Sequence, residues 1–290
     1  MQLLVNIVVL AAIYALISCG YVLIYRVSRV LNLAHGELMM LGAYLLYSTA
    51  SLLGDSPITA LLMSALLGLV AGILVYLFLM RRMTGEMVLA AVLCTIALGV
   101  MLRGITVLIW SAQVRHPLAA LGWSNPSLQI LGDARISLVN AILIGLTALV
   151  YAGLFGFLGF TRSGIRMRAA GQNPLLASQR GIRLHGIYAL AWGLSTFTAG
   201  LAGMLISMDS SLDGTMVMLG LKAFPAALVG GLDSLAGALL GSAIIAIAEV
   251  TLIHYVNPLL SDVVPFIVLL AVLVVRPWGL FGSKEELDRV

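Results

Sequence analysis

Five residues place ionisable groups inside stretches that otherwise avoid charge: His35, Glu37, Arg103, Lys222 and Glu249. A histidine beside a glutamate first suggests a metal-dependent hydrolase. The stretch LNLAHGELMMLGAY is not HExxH, however: only Gly36 separates His35 from Glu37, and side chains at i and i+2 do not share a helical face as i and i+4 do. Neither zinc ligation nor catalysis is expected there, and no metal site is assigned. Cys19 and Cys94 both lie in apolar runs and read as small packing residues. What remains is the chemistry of charges in a medium of low dielectric constant. Such charges pair with one another, face a water-filled path, or snorkel to a surface.

That medium follows from composition. The 290 residues are 61% hydrophobic and 10% charged, with mean hydropathy +1.10, against about 45–50% apolar and about 25% charged in soluble domains. Roughly 20 apolar residues at ~1.5 Å each cross a ~30 Å hydrocarbon core. Apolar runs fall at 3–25, 31–53, 58–80, 87–110, 137–160, 187–208, 216–232, 236–256 and 263–275. The first is expected to be a retained helix: Met1-Gln2 lacks a basic start, and the run continues past the lipoprotein-like box Leu16-Ile17-Ser18-Cys19. The run at 216–232 is short, holds Lys222 and is punctuated by Gly220, Pro225, Gly230 and Gly231, so it reads as broken or re-entrant. A loop with one surface helix is expected between 111 and 136.

Lysine and arginine then set the orientation, because they concentrate in cytoplasmic connections. With the N-terminus outside and nine crossings, the inside receives Arg26, Arg29, Arg81, Arg82, Arg162, Arg166, Arg168, Arg180, Arg183, Arg276, Lys284 and Arg289. The outside receives Arg115 and Arg135 only. The fold expected is an all-α polytopic membrane protein of about eight to nine transmembrane helices with a cytoplasmic C-terminus. No phosphate loop GxxxxGK[ST] occurs, so any energy for transport must come from a partner; nucleic acid binding is not suggested.

The connection 161–186 is the most basic in the chain. Within it RMRAAGQNPLLASQRGI combines Arg166 and Arg168 with the small residues Ala169, Ala170, Gly171, Ala177 and Gly181, around Asn173 and Pro174. Small residues allow close approach and arginines orient a partner, so the loop suits a docking helix or, equally, a basic loop held at anionic headgroups.

Together with GYVLIYRVSRVLNLAHGELMMLGAY, GLKAFPAALVGGLDSLAGALLGSAIIAIAE and RPWGLFG, this loop resembles the inner-membrane permeases of branched-chain amino acid ABC importers, specifically the shorter of their two permease subunits. The resemblance implies one transmembrane permease domain over 1–290, with 161–186 as the coupling helix that sits on an ATPase. It further implies a bacterial inner-membrane complex with a second related permease, two ATP-binding cassette subunits and a periplasmic or external binding protein. No cofactor would be bound directly; ATP and magnesium would be used by the ATPase partners. Relatives that carry urea or short amides keep the solute open, and a proton-coupled secondary transporter is the competing class.

Two expectations concern the intramembrane charges. Arg103 and Glu249 each sit about seven residues from the outer end of their spans, roughly 10 Å deep, so a pair between Glu249 and Arg103 or Lys222 is one reading; a vestibule for a zwitterion and snorkelling are the others. His35 and Glu37 are expected at the cytoplasmic start of their span, with Asn32 capping the helix and the polar tips at the interface. The resemblance adds the alternative of a polar hinge at the inner mouth of a pathway formed by Asn32, His35, Gly36 and Glu37. A weak internal duplication would pair MLGLKAF with MLGAYLL.

Overall fold

The computed structural model describes residues 1–53, 56–130 and 133–282; Lys284 and Arg289, assigned above to the cytoplasmic side, lie outside the described residues. Helix α1, Gln2–Ser28, is apolar almost throughout and ends where Arg29 turns left-handed at φ 56°. Residues 29–34 are non-helical, and α2 then runs His35–Leu52. Helix α3 begins on a proline, Pro57–Val75, and continues through a π-helical turn at Tyr76–Met80 to Met83. Helices α4, Val88–Trp110, and α5, Leu138–Phe160, follow. The Ser137 hydroxyl caps α5 by accepting from the Asn140 amide.

The basic connection folds as two short helices, α6, Arg162–Gln172, and α7, Pro174–Gln179. Thr161 caps the first, and Asn173 caps the second with Pro174 at its first position, so the break falls where capping and a missing N–H together favour a new helix start. Gly181, at φ 81°, turns the chain toward α8, Leu184–Asp209. A 3₁₀ turn at Gly214–Met216 leads into α9, Val217–Gly230; Ser234 caps α10, Leu235–Tyr255; a 3₁₀ segment at Pro258–Asp262 precedes α11, Val264–Val275.

Among the described residues six helices are long and apolar enough to cross a membrane, and the 18-residue α2 and the shorter apolar segments Gly214–Gly230 and Val264–Val275 accompany them. The molecule is therefore an all-α, multi-pass membrane protein. The segment at 216–232 is not broken: α9 passes through Pro225 as one helix, and its shortness comes from starting late. The connection 111–136 contains the expected helix, a short one, and adds a strand pair. It holds one helical turn, Pro117–Ala120, and two short strands, β1 at Ser127–Gln129 and β2 at Arg135–Ser137, paired antiparallel.

Helices α1 and α8 form the buried centre, with Tyr14, Leu16, Ile17 and Trp192 nearly inaccessible, whereas α3, α4 and α5 turn residues such as Leu66, Val100, Leu108 and Leu149 outward. In lipid such exposure carries no penalty. Glycines bring the elements together: a Cβ on Gly42 would overlap Gly200, one on Gly203 would overlap Met39, and Gly237 and Gly241 let α10 lie on Gly230 and Ala226 of α9.

The packing repeats in inverted order. Helix α1 packs on α10 and α8 on α3; α2 packs on α8 and α9 on α1; the pairs α2–α3 and α2–α4 have counterparts in α9–α10 and α9–α11. Helices α2 and α9, the elements matched by the weak sequence duplication, thus occupy corresponding places. This is the geometry of inverted repeats, which places solute sites near the midplane between the halves.

Candidate functional site

Three neighbours fix the depth of the HGE stretch. The Glu37 carboxylate lies over Gly99, the midpoint of the 23-residue α4. The His35 imidazole donates from Nε2 to the Ile17 carbonyl at 3.0 Å, near the middle of α1, and packs on Gly20. Gly20 in turn faces the Ser195 carbonyl, near the middle of α8. Residues 35–37 therefore sit about 16 Å from the ends of these helices at ~1.5 Å per residue. The expected interfacial placement of His35 and Glu37 is overturned. The cause is the non-helical segment 29–34, which carries the chain inward before α2 begins; the Leu33 amide donates to the Thr95 hydroxyl, well inside α4.

Asn32 does not cap α2. It is buried, and its Oδ1 accepts from the Ala34 amide, forming a turn ahead of the helix. A carbonyl only accepts, so His35 donates a proton from Nε2. His35 Nδ1 and Asn32 Nδ2 have no hydrogen-bond partner among the described residues, which leaves two buried polar atoms at mid-bundle with unused capacity. Gly36 meets Gly220 and the Val217 carbonyl, so the first turns of α2 and α9 touch there.

Of the two partners anticipated for Glu249, Lys222 is the one that pairs with it, at 3.3 Å, while Arg103 turns to Glu37. Arg103 bonds Glu37, through Nε at 3.0 Å and Nη2 at 2.9 Å, both to Oε1. Its expected partnership with Glu249 does not form, because Glu37 lies deeper than its place in the sequence suggested. Besides Lys222, Glu249 accepts from the Tyr14 hydroxyl at 2.7 Å, and Lys222 also reaches Asp262 at 2.7 Å. A charge at a helix centre costs about 2.5–3.5 kcal/mol on insertion scales, and each pair offsets part of that cost while joining two helices. The Lys222 ammonium, first by its hydrogen bond and then by its charge, holds the Asp262 carboxyl below the usual carboxylate range.

A second feature lies at the end of the bundle that carries Arg29. There the Arg29 side chain donates from Nε and Nη2 to the Gly171 carbonyl, both at 3.3 Å, and a Cβ on Gly171 would overlap the Arg26 carbonyl. The α6 helix thus presses on the end of α1, next to the segment that leads to Asn32. A cavity of about 350 Å³ opens between them, walled by Tyr76 and Met80 of the π turn, Glu86, Pro174 and Trp192. π-Helical turns are frequent at functional sites.

In the basic connection Gly181 is exposed, but the other small residues do not form the outer face. Ala170, Gly171 and Ala177 are buried against the chain itself and Ala169 is half-buried, while Arg166, Arg168, Arg180, Ile165, Leu175 and Leu176 are exposed, Leu175 by 67%. Sequence reasoning missed Ile165, Leu175 and Leu176. Their apolar character beside arginines in a connecting loop was the available signal. Among the described residues no group of His, Cys, Asp and Glu could hold a metal ion.

A helical membrane bundle of repeated halves, with the first turns of two helices meeting at mid-bundle and polar groups gathered around them, is the architecture of a solute-translocating subunit. The chain belongs to the family described as "Branched-chain amino acid transport system / permease component", which matches residues 3–273. It is 29% identical to the high-affinity branched-chain amino acid transport system permease protein LivH of Salmonella typhimurium, over 98% of this chain and 96% of the relative. It is 28% identical to BraD of Pseudomonas aeruginosa over the same shares, and 28% identical to a probable LivH of Methanocaldococcus jannaschii over 95% of this chain and 90% of the relative. No solved structure matches the chain.

Proposed function

We propose that this chain is a permease subunit of an ATP-binding-cassette importer that carries branched-chain or related amino acids across a bacterial inner membrane. It is a single transmembrane domain over 1–290 and works with a second related permease, two ATPase subunits and an external binding protein. The observation that carries this reading is the α6–α7 element. It offers exposed Leu175 and Leu176 amid Arg166, Arg168 and Arg180, a surface fitted to a protein groove, and its inner side grips Arg26 and Arg29. Force applied at the ATPase would then pass from Gly171 through Arg29 into residues 30–34 and so to Asn32, His35, Gly36 and Glu37.

Orientation follows from charge. The end with Arg26, Arg29, Arg81, Arg82, the arginines of α6–α7 and Arg276 faces the cytoplasm, and the N-terminus lies outside. Asn173 and Pro174 set the angle between the two docking helices, and Gly181 closes the element. Lys222 and Glu249 act as a fastening between α9 and α10 near the outer part of the path.

The test is purification of the tagged chain with the products of its neighbouring genes. Two ATPases and a second permease should co-purify, and the loaded binding protein should stimulate ATP hydrolysis. Solute movement by the chain alone, driven by a proton gradient, would instead establish a secondary carrier.

A further inference from the structure

We propose that Arg103 and Glu37 together hold the zwitterionic head of the transported amino acid, Arg103 taking the α-carboxylate and Glu37 the α-ammonium group. The inference rests on the reading of the chain as an amino acid permease.

The direction of Arg103 is the first argument. An arginine near one end of a membrane helix ordinarily extends its guanidinium toward the nearer surface. Arg103 lies closer to the Trp110 end of α4, yet its side chain runs the other way, to a carboxylate that lies over Gly99 at the helix midpoint. It is drawn inward and still 53% exposed, whereas Glu37 is 8% exposed. The neighbouring outward residues of α4 are apolar: Val100, Met101, Val107 and Leu108. A half-exposed charged side chain among these apolar neighbours is costly against lipid tails, so on this proposal the solute path, not lipid, lies beside Arg103.

The geometry of the pair is the second argument. Both bonding nitrogens converge on Glu37 Oε1 instead of spreading over both carboxylate oxygens, as the forked arrangement would. A guanidinium has five N–H donors, and Arg103 has no other hydrogen-bond partner among the described residues. The donors left over lie on its open side. Gly99 lets the carboxylate lie directly on α4, since a Cβ there would stand 3.1 Å from Glu37 Cδ.

A zwitterion meeting this pair brings one charge of each sign to a site that holds one of each. The four charges can alternate without leaving any bare, and the net charge at mid-bilayer stays zero throughout. A solute lacking its carboxylate or its ammonium group leaves a protein charge unmatched, so the pair would select α-amino acids over amines, acids and amides of the same shape.

The experiment uses the complete complex, arrested before ATP hydrolysis and without binding protein. It measures retention of radiolabelled leucine and its displacement by leucine, isoamylamine and isovalerate. In the wild type, isoamylamine and isovalerate should each compete about tenfold or more weakly than leucine. Arg103→Gln should weaken leucine retention and close the gap between leucine and isoamylamine; Glu37→Gln should close the gap between leucine and isovalerate. Should either charge variant fail to assemble, Gly99→Ala, which crowds the carboxylate away from its seat without removing a charge, should still weaken leucine retention. Wild-type affinity and analogue ranking in the variants that assemble would overturn the inference. A wild-type complex that neither retains nor transports leucine would overturn the parent reading instead, so the two failures are distinguishable.

Discussion

Gly36 and Gly220 bring the first turns of α2 and α9 into backbone contact at mid-bundle: a Cβ on Gly36 would stand 2.8 Å from the Val217 carbonyl oxygen, and one on Gly220 would overlap the Gly36 Cα. From this point α2 leads toward Leu52 at one end of the bundle and α9 toward Gly230 at the other. The contact is backbone on backbone, so no side chain can rotate to relieve a crowding methyl group. Gly220→Ala is expected to cost about 1–3 kcal/mol, the usual range for overpacking. The purified variant should show a lower midpoint of thermal unfolding, and Gly104→Ala, where nothing lies within 4 Å of an added Cβ, should not. Equal midpoints for the two would contradict the close approach.

The Arg103–Glu37 pair makes a stability prediction separate from its part in recognition. Removing one member of a fully buried pair costs about 3–5 kcal/mol because the other charge is left uncompensated. Arg103 is half open to its surroundings, so Glu37→Gln should fall below that range. The double variant Glu37→Gln with Arg103→Gln should regain part of the loss, since neither charge is then stranded. A double variant less stable than both singles would show that the two side chains act independently.

At the basic end, Leu175→Asp with Leu176→Asp should abolish co-purification of the ATPase subunits while leaving the permease itself folded, because both leucines are exposed. Gly171→Ala should behave in the opposite way. Its methyl group meets the Arg26 carbonyl within the chain, so folding of the permease should suffer first. Pull-down yield and size-exclusion profiles, compared for the two variants, separate the outcomes; an intact ATPase complex with both leucines replaced would remove α7 from the docking surface.

Asp262 supplies a pH dependence. Its carboxyl is held below the usual range by the Lys222 hydrogen bond and charge. A depressed carboxylate contributes stability that is complete above its unfolded value of about 3.9 and is lost as pH falls through the lower native value. Wild-type unfolding temperature should therefore drop more steeply below about pH 4 than that of Asp262→Asn. Parallel curves would mean that the contact adds nothing.

The spans themselves were legible because length and hydropathy alone separate a bilayer-crossing run from a soluble one. What could not be read was where within the bilayer a helix begins. Val30, Leu31, Leu33 and Ala34 are as apolar as the helix that follows, so no change of composition marks the start of α2 at His35. That single ambiguity displaced Glu37 to the surface and gave Arg103 the wrong partner, whereas Lys222 and Glu249 could be paired because their depths did not depend on it. In the basic connection the facing of the small residues was likewise not legible. Alanines and glycines suit either side of a short helix, and only packing against Arg26 reveals that Ala170 and Gly171 face inward.

The measurement that bears most directly on the function is uptake of radiolabelled leucine by proteoliposomes containing the complete complex, with loaded binding protein outside and ATP inside. Accumulation that requires ATP and the binding protein, and that stops when the arginine-flanked leucines of α7 are replaced by aspartate, is the result predicted. Uptake that proceeds without ATP under a pH gradient, or that admits urea and short amides but not leucine, would contradict it.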